Sequence, residues 1–139
     1  QILTESGLLP GALLHNTSHK FICKNTFLKV VSTNTVVTNK YNENPIKIPV
    51  AHAEGRFFAN KETLNSLIKN DQILFKYCEK NGKITDQANP NGSEMNIAGI
   101  CNKDRNVFGM MPHPERAADD SLKNQDGKLL FNSILNHIV

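Results

Sequence analysis

Two residues that could share a proton lie between prolines near the end of the chain. His113 and Glu115 stand in the segment Met111–Arg116, which reads Met-Pro-His-Pro-Glu-Arg. Proline fixes its own φ and pushes the preceding residue towards extended geometry, where residues i and i+2 point to the same side. The carboxylate of Glu115 can therefore approach the imidazole of His113. A carboxylate that holds a histidine in one tautomer is the base-and-orienter half of a nucleophilic triad.

This spacing does not by itself establish a catalytic site. An isolated His-x-Glu is more often a stiff surface turn with a solvated histidine, because triad partners are recognised by geometry. A triad also needs a nucleophile, and the candidate thiols are Cys23, Cys78 and Cys101. None of the three lies in the glycine-flanked strand-to-helix turn that exposes a nucleophile. Cys78 and Cys101 end apolar runs, which is typical of small buried hydrophobic residues.

Composition and charge narrow the class of protein. The 139 residues are enough for one modest domain, and 16 basic against 13 acidic side chains give a net charge of +3. The basic residues form no cluster, which disfavours a nucleic-acid surface. No apolar run approaches the roughly 20 residues that span a bilayer, and no signal peptide is evident. Three widely spaced cysteines favour a reducing cytoplasm, and the His, Asp and Glu spacings do not predict a metal site.

The elements that must position these residues are mostly strands. Runs of β-branched and apolar residues predict six of them: Phe27–Val31, Asn34–Thr38, Ile46–Ala51, Ile73–Tyr77, Ile97–Cys101 and Val107–Met111. The first two of these read as a hairpin. Pro49 places its strand at a sheet edge or a bulge, because proline has no N–H for a ladder. Asn81-Gly82 and Asn89–Ser93 predict turns.

Two or three helices accompany the strands. A first helix stops at Gly7, a favourable residue just past a helix end, and Asn60 caps a second one. A closing helix, capped by Asp126, has an apolar stripe made of Leu130, Phe131, Ile134, Leu135 and Ile138. Strands combined with amphipathic helices predict an α/β sheet layered with helices.

The segment Met111–Arg116 resembles the His-Pro-Glu segment of the triad-type glutamine amidotransferases. Four further segments narrow the resemblance to the glutaminase subunits of phosphoribosylformylglycinamidine synthases: Gln1–Gly11, Pro49–Arg56, Asn89–Ser93 and Ile97–Ile100. They follow one another in the family's order along nearly the whole chain.

This resemblance implies a fold and a set of roles. Residues 1–139 would form the C-terminal part of a flavodoxin-like glutamine amidotransferase domain, with a central mixed sheet and flanking helices. In the family's Gly-x-Cys-x-Gly-x-Gln elbow, Gln1 matches the final Gln, so the nucleophilic cysteine would precede residue 1. His113 would be the base and Glu115 its orienter. Gln1 would contact the α-amino acid end of the substrate glutamine.

The implied activity is hydrolysis of glutamine to glutamate, with ammonia supplied to an ATP-dependent synthetase subunit in de novo purine biosynthesis. The implied partners are that synthetase and a small accessory subunit. No nucleic acid or membrane is expected. ATP and Mg²⁺ would belong to the synthetase, and this chain would need no cofactor of its own. Because the elbow is outside them, residues 1–139 alone are expected to be inactive.

A second His-x-Glu, His52 and Glu54, follows another predicted strand, and Arg56 stands two residues further on. These three residues are candidates for a partner interface or for the path of ammonia. The alternative is a structural loop in which Arg56 pairs with its neighbours.

Two other functions remain open at this point. The chain could be a non-catalytic module that keeps the fold and docks on a synthetase. It could also belong to another triad-type hydrolase acting on γ-glutamyl compounds.

Overall fold

The computed structural model describes residues 1–42 and 44–138. Within them, a five-stranded sheet has the order β3-β2-β5-β6-β7 and a two-stranded sheet pairs β1 with β4. The strands are β1 (Ala12–Leu14), β2 (Ile22–Val30), β3 (Ile46–His52), β4 (Arg56–Phe58), β5 (Ile73–Cys78), β6 (Ile97–Cys101) and β7 (Phe108–Met110). The helices are α1 (Ile2–Glu5), α2 (Lys61–Lys69) and α3 (Lys128–Ile138), with 3₁₀ turns at Glu94–Asn96 and Pro114–Ala117.

The α/β fold class predicted from the sequence is confirmed. The ladders of the described strands are all antiparallel, so the parallel strands of a mixed sheet are not among them. None of the helices in residues 1–42 and 44–138 is long and apolar enough to cross a membrane.

The core lies on both faces of the five-stranded sheet, because β5 and β6 are buried on both sides. One apolar cluster contains Leu28, Phe75, Tyr77 and, from α3, Leu130. The other contains Phe57 of β4 and Leu67 of α2 together with strand residues that include Ile73, Ile97 and Ile100. Neighbouring residues such as Ile97 and Ala98 enter opposite clusters, as the alternation of a strand requires. The central strands are therefore the rigid support for the loops around them.

Several local predictions are confirmed. The side-chain oxygen of Asn60 accepts a hydrogen bond from the Thr63 amide at 2.8 Å and caps α2. Gly7 follows the end of α1 with φ +77°, and Gly82 has φ +83° in the turn between Glu79 and Lys83. Glycine adopts these positive φ values without the steric cost that a Cβ would bring.

The predicted strand Asn34–Thr38 is wrong. Thr35–Lys40 forms successive turns, in which the amides of Thr38 and Asn39 both donate to the carbonyl of Thr35. Val37 is buried in the core instead of pairing in a sheet. β propensity marks residues that pack well on a buried surface, and here a turn provides that surface.

The predicted apolar stripe of α3 is only half correct. Leu130 and Ile134 pack on the core and Ser133 is buried, while Leu135 and Ile138 are exposed at 59% and 75%. The buried side includes the polar Ser133 and is therefore rotated from the centre of the apolar stripe, so the sequence period alone does not define it. Asp126, predicted as its cap, uses its carboxylate on the amide of Lys47.

Candidate active site

The imidazole of His113 and the carboxylate of Glu115 form a hydrogen bond. His113 Nδ1 lies 2.8 Å from Glu115 Oε1, and the two side chains are 32% and 57% exposed. His113 has φ −106° and ψ 85°, and Pro114 opens the 3₁₀ turn that carries Glu115. A carboxylate accepts, so Nδ1 donates and Nε2 carries the free lone pair. The pair is therefore arranged to take a proton at Nε2, as the spacing predicts.

The backbone of His113 is tied to the free edge of β3. Its amide donates to the carbonyl of Pro49 at 2.8 Å. Pro49 lies in β3 at the edge of the five-stranded sheet, as predicted, and has no N–H to leave unpaired there. Two side chains bond the same edge, since the Asp126 carboxylate accepts from the Lys47 amide at 2.7 Å and Asn124 donates to the Lys47 carbonyl at 2.5 Å.

The segment before α3 packs closely against the 3₁₀ turn Pro114–Ala117. A Cβ added to Gly127 would lie 2.2 Å from the carbonyl oxygen of Pro114, so only glycine allows this approach. The amide of Gly127 donates to the carbonyl of Ala117 at 2.8 Å, and Ala117 is fully buried. The turn that carries Glu115 is thus held from both sides.

No described cysteine bonds His113. Cys78 and Cys101 are buried, and burial raises the pKa of Cys78 to about 11 and also raises the pKa of Cys101. Such thiols are poor nucleophiles because the thiolate is the reactive form. Cys23 is exposed on β2, beside Ala51 of β3. In the part of the chain that the structure describes, no group of three or more His, Cys, Asp or Glu side chains could hold a metal ion.

His52 is buried in a network of asparagines. Its Nδ1 lies 3.0 Å from Asn16 Oδ1, and its Nε2 lies 3.4 Å from Asn91 Nδ2. The amide group of Asn16 already donates to the carbonyls of Lys20 and His52, and that of Asn91 donates to the carbonyl of Gly55. Asn16 Oδ1 must therefore accept, so His52 carries its proton on Nδ1 and is neutral.

The surroundings of His52 keep it neutral. Burial lowers the pKa of the imidazole below its ordinary value of 6.5, and the neighbouring His113 lowers it further. A Cβ on Gly55 would lie 2.3 Å from His52 Nδ1, so the glycine lets the β3–β4 turn close over the ring. The structure thus places His52 inside the molecule near His113.

Glu54 and Arg56 line one cleft at the β3–β4 turn. Glu54 Oε1 lies 3.2 Å from His15 Nε2, and both side chains are largely exposed. Arg56 lines a cleft of about 540 Å³ with Glu54, His15 and His19. Arg56 Nε is buried without a hydrogen-bond partner among the described residues, so the pairing of Arg56 within the loop is not seen there.

Gln1 lies at a small cavity of about 120 Å³ that it lines together with Met111, two residues before His113. Its side-chain amide donates to Glu5 at 2.7 Å. Gly109 lets α1 approach β7, because a Cβ there would lie 2.9 Å from Leu9 and 3.2 Å from Leu3. The first turn of the chain and the segment of His113 therefore adjoin one cavity.

A family model supplies the deciding comparison. The model described as the CobB/CobQ-like glutamine amidotransferase domain matches residues 1–131. The chain belongs to this family.

Two relatives are described as phosphoribosylformylglycinamidine synthase subunit PurQ. The one from Acaryochloris marina is 54% identical over 140 residues, and the match covers 100% of this chain and 60% of the relative. The one from Aquifex aeolicus is 49% identical, with 98% of this chain and 60% of the relative covered. The chain thus spans about 60% of the length of these amidotransferase relatives.

A solved structure has the same fold. The chain resembles one described as the structure of PurLQS from Thermotoga maritima, with a TM-score of 0.82 and 41% identity. The match covers 100% of this chain and 58% of the other. The resemblance read from the sequence is therefore confirmed at the level of the family and its fold.

Asn16 and Asn91 are the residues near the site that sequence reasoning missed. Asn91 stands in a segment that is predicted as a turn and that carries part of the family resemblance, but neither observation gives Asn91 itself a role, and nothing around Asn16 marks it as buried. Their partners are 36 to 39 residues away in the chain, which no local pattern reveals.

Proposed function

We propose that these residues belong to a glutaminase subunit of a phosphoribosylformylglycinamidine synthase. In this proposal the subunit hydrolyses glutamine to glutamate and hands ammonia to a synthetase subunit in purine biosynthesis. The hydrogen bond of 2.8 Å between His113 and Glu115 carries the proposal, because it leaves Nε2 of the histidine free to act as a base. The names of the relatives with about half of their residues identical support this choice of reaction.

The proposed chemistry starts at Nε2 of His113. That atom takes the proton of a cysteine thiol, and the thiolate attacks the side-chain amide carbon of glutamine. His113 then returns the proton to the departing nitrogen, which leaves as ammonia. Water, deprotonated by the same histidine, hydrolyses the thioester to glutamate and regenerates the thiol. Glu115 stabilises the imidazolium that forms at each transfer.

The proposal requires a cysteine from outside the 139 residues. The buried thiols of Cys78 and Cys101 have raised pKa values, and no described cysteine bonds His113. The position of Gln1 beside the cavity that also contacts Met111 supports a role in holding the amino acid end of glutamine.

Partners and location are part of the same proposal. A synthetase subunit would use ATP and Mg²⁺ to consume the ammonia, and a small accessory subunit would complete the assembly. The solved relative described as PurLQS supports an assembly of several subunits. His52 ends β3 near His113, and Glu54 and Arg56 follow it at the β3–β4 turn, which supports a place near the ammonia exit or an interface. The three free cysteines fit a cytoplasmic location.

The test is His113→Asn in the complete gene product that contains these residues. We expect glutamine hydrolysis to fall by at least about 10²-fold, since proton transfer by a positioned side chain contributes that much or more. Ammonia release with and without the synthetase is the measurement, and circular dichroism checks the fold. His137→Asn, an exposed histidine at the end of α3, is the matched control. Near-normal hydrolysis by His113→Asn would remove His113 from its role.

The same assay separates the other candidate functions. A docking module would show no hydrolysis in the wild-type protein, with or without the synthetase. A γ-glutamyl hydrolase would act at full rate in the absence of any partner.

A further inference from the structure

Arg56 presents hydrogen-bond donors that find no acceptor in the described part of the chain. Its Nε is buried without a partner, and its guanidinium forms no ion pair with a described carboxylate. A buried donor without an acceptor is costly and calls for an explanation. The nearby carboxylate of Glu54 is turned to His15 instead, at 3.2 Å.

The cleft around Arg56 has walls that a buried side chain ties together. Asn16, which is fully buried, donates to the carbonyls of Lys20 at 2.8 Å and of His52 at 2.9 Å, and accepts from the Gly55 amide at 3.2 Å. The main-chain N–H of Asn16 donates to the carbonyl of Ala53 at 2.8 Å. The loop after β1 and the β3–β4 turn are therefore held in one geometry. A prearranged cleft is what a binding site requires, because little ordering remains to be done on binding.

The surface next to the cleft is apolar. Arg56 and Phe58 alternate with the buried Phe57 along β4, so they share the outer face of the two-stranded sheet. On β1, Leu14 lies opposite Arg56 and Ala12 opposite Phe58. Phe58 is 45% exposed. An arginine beside an exposed aromatic ring is typical of the energetic centre of a protein–protein interface.

We propose that the outer face of β1 and β4, centred on Arg56, docks a partner protein that inserts an aspartate or glutamate carboxylate into this cleft. Where Arg56 lines the cleft, its two terminal guanidinium nitrogens can donate to both oxygens of one carboxylate, and Phe58 with Leu14 surrounds that contact with apolar surface. A partner protein fits better than a free anion, because the exposed rim of His15 and Glu54 would leave a small ion solvated and weakly held. The inference rests on the proposed function, in which that partner is the synthetase subunit.

The experiment compares Arg56→Gln, Arg56→Lys and Phe58→Ser with Lys69→Gln, a control that removes an exposed charge from the far end of α2. The dissociation constant between the complete gene product and its synthetase subunit is measured by calorimetry. We expect Arg56→Gln to weaken association at least about 10-fold, because it leaves the partner's carboxylate buried without its charge partner. Arg56→Lys should be intermediate, Phe58→Ser should also weaken association, and Lys69→Gln should match the wild type.

The thermal midpoint of each free subunit distinguishes docking from a structural role. Removing a buried donor that has no partner should leave the midpoint of Arg56→Gln unchanged or slightly raised. A clear fall in that midpoint would make Arg56 structural and would overturn the proposal.

Two further outcomes would count against it. Wild-type affinity in Arg56→Gln would refute the docking contact alone, whereas wild-type protein that fails to bind the synthetase would refute the proposed function as well. A third outcome would assign the cleft to a small anion instead. Millimolar citrate or glutamate would then raise the thermal midpoint of the wild type but not of Arg56→Gln, and the affinity between the subunits would be the same in both proteins.

Discussion

At the scale of single residues, the two buried or half-buried histidines near β3 have opposite hydrogen-bond arrangements. His113 donates from Nδ1 to a carboxylate that can stabilise its charged form. His52 donates from Nδ1 to an amide oxygen, and its Nε2 faces an amide group that can only donate. Protonation is therefore opposed at His52, whose pKa burial lowers. The same residue type is thus proposed as a base at position 113 and is a buried part of a hydrogen-bond network at position 52.

Glu115→Gln tests the electrostatic part of the pair. Glutamine can still accept from Nδ1 of His113, but it lacks the charge that stabilises the imidazolium. We expect the hydrolysis rate of the complete gene product to fall by about 10²–10⁴-fold with little change in fold. Steady-state ammonia release is the measurement, and Glu62→Gln in the first turn of α2 is the control. A rate close to that of the wild type would show that Glu115 only shapes the turn.

His52 makes stability depend on pH. Its pKa is lowered in the folded state, so the unfolded chain binds its proton more readily. The contribution of neutral His52 to the free energy of unfolding is therefore fully present above the ordinary pKa of 6.5. It is lost as the pH falls below that value and through the pKa of the folded state. We expect His52→Gln to destabilise the protein by about 1–3 kcal/mol near pH 8, because buried partners lose hydrogen bonds.

The decisive measurement for His52 is the slope of the free energy of unfolding against pH. Between about pH 7 and pH 5, the variant should lose less further stability than the wild type, because one proton-linked group is gone. Thermal or urea unfolding across this range measures it, and His19→Gln, at an exposed position, should keep the wild-type slope. Parallel curves for His52→Gln and the wild type would contradict the assignment of a neutral buried histidine.

At the scale of elements, the edge strand β3 links the sheet to the turn that carries His113 and Glu115. Its outward main-chain groups are bonded by the His113 amide and by the side chains of Asn124 and Asp126. These contacts cover an edge that could otherwise pair with another strand. The sheet therefore determines where His113 lies, and the loop before α3 depends on the same strand.

Asp126→Ala tests this link. The variant removes the acceptor of the Lys47 amide, which lies 2.7 Å from the carboxylate. We expect the free energy of unfolding to fall by about 1 kcal/mol, because one charge-assisted hydrogen bond is lost at a partly exposed site. Urea unfolding of the complete gene product measures it. Asp120→Ala is the control, because it removes an exposed carboxylate whose ion pair with Lys128 contributes little to stability. Its free energy of unfolding should lie within about 0.5 kcal/mol of the wild-type value. Equal stability of the two variants would contradict the anchoring role.

The sequence predicts those elements whose signals are local. The Asn60 cap, the apolar run of β5 and the proline of an edge strand act within a few residues, and the corresponding elements are present. The pairing of His113 with Glu115 is equally local. The turns at Thr35–Lys40 and the buried side of α3 depend on what packs against them, which residue order alone does not contain. The asparagine network around His52 is missed for the same reason.

At the scale of the whole molecule, the described residues contain the hydrogen-bonded pair of His113 and Glu115, and no described cysteine bonds that pair. We expect the polypeptide Gln1–Val139 by itself to release no ammonia from glutamine above the background rate, because a base without a nucleophile forms no thioester. A coupled glutamate assay on the purified chain checks this. Turnover that disappears in His113→Asn would contradict it, since one of the three thiols would then be reactive.

The tether between His113 and Pro49 acts on main-chain atoms only, a 2.8 Å bond from an amide to a carbonyl. Any amino acid except proline can form it. Every other substitution at position 113 should therefore keep the turn where it is, and its kinetic effect would report the lost imidazole and not a displaced backbone. Saturation mutagenesis at this one position would separate chemistry from architecture.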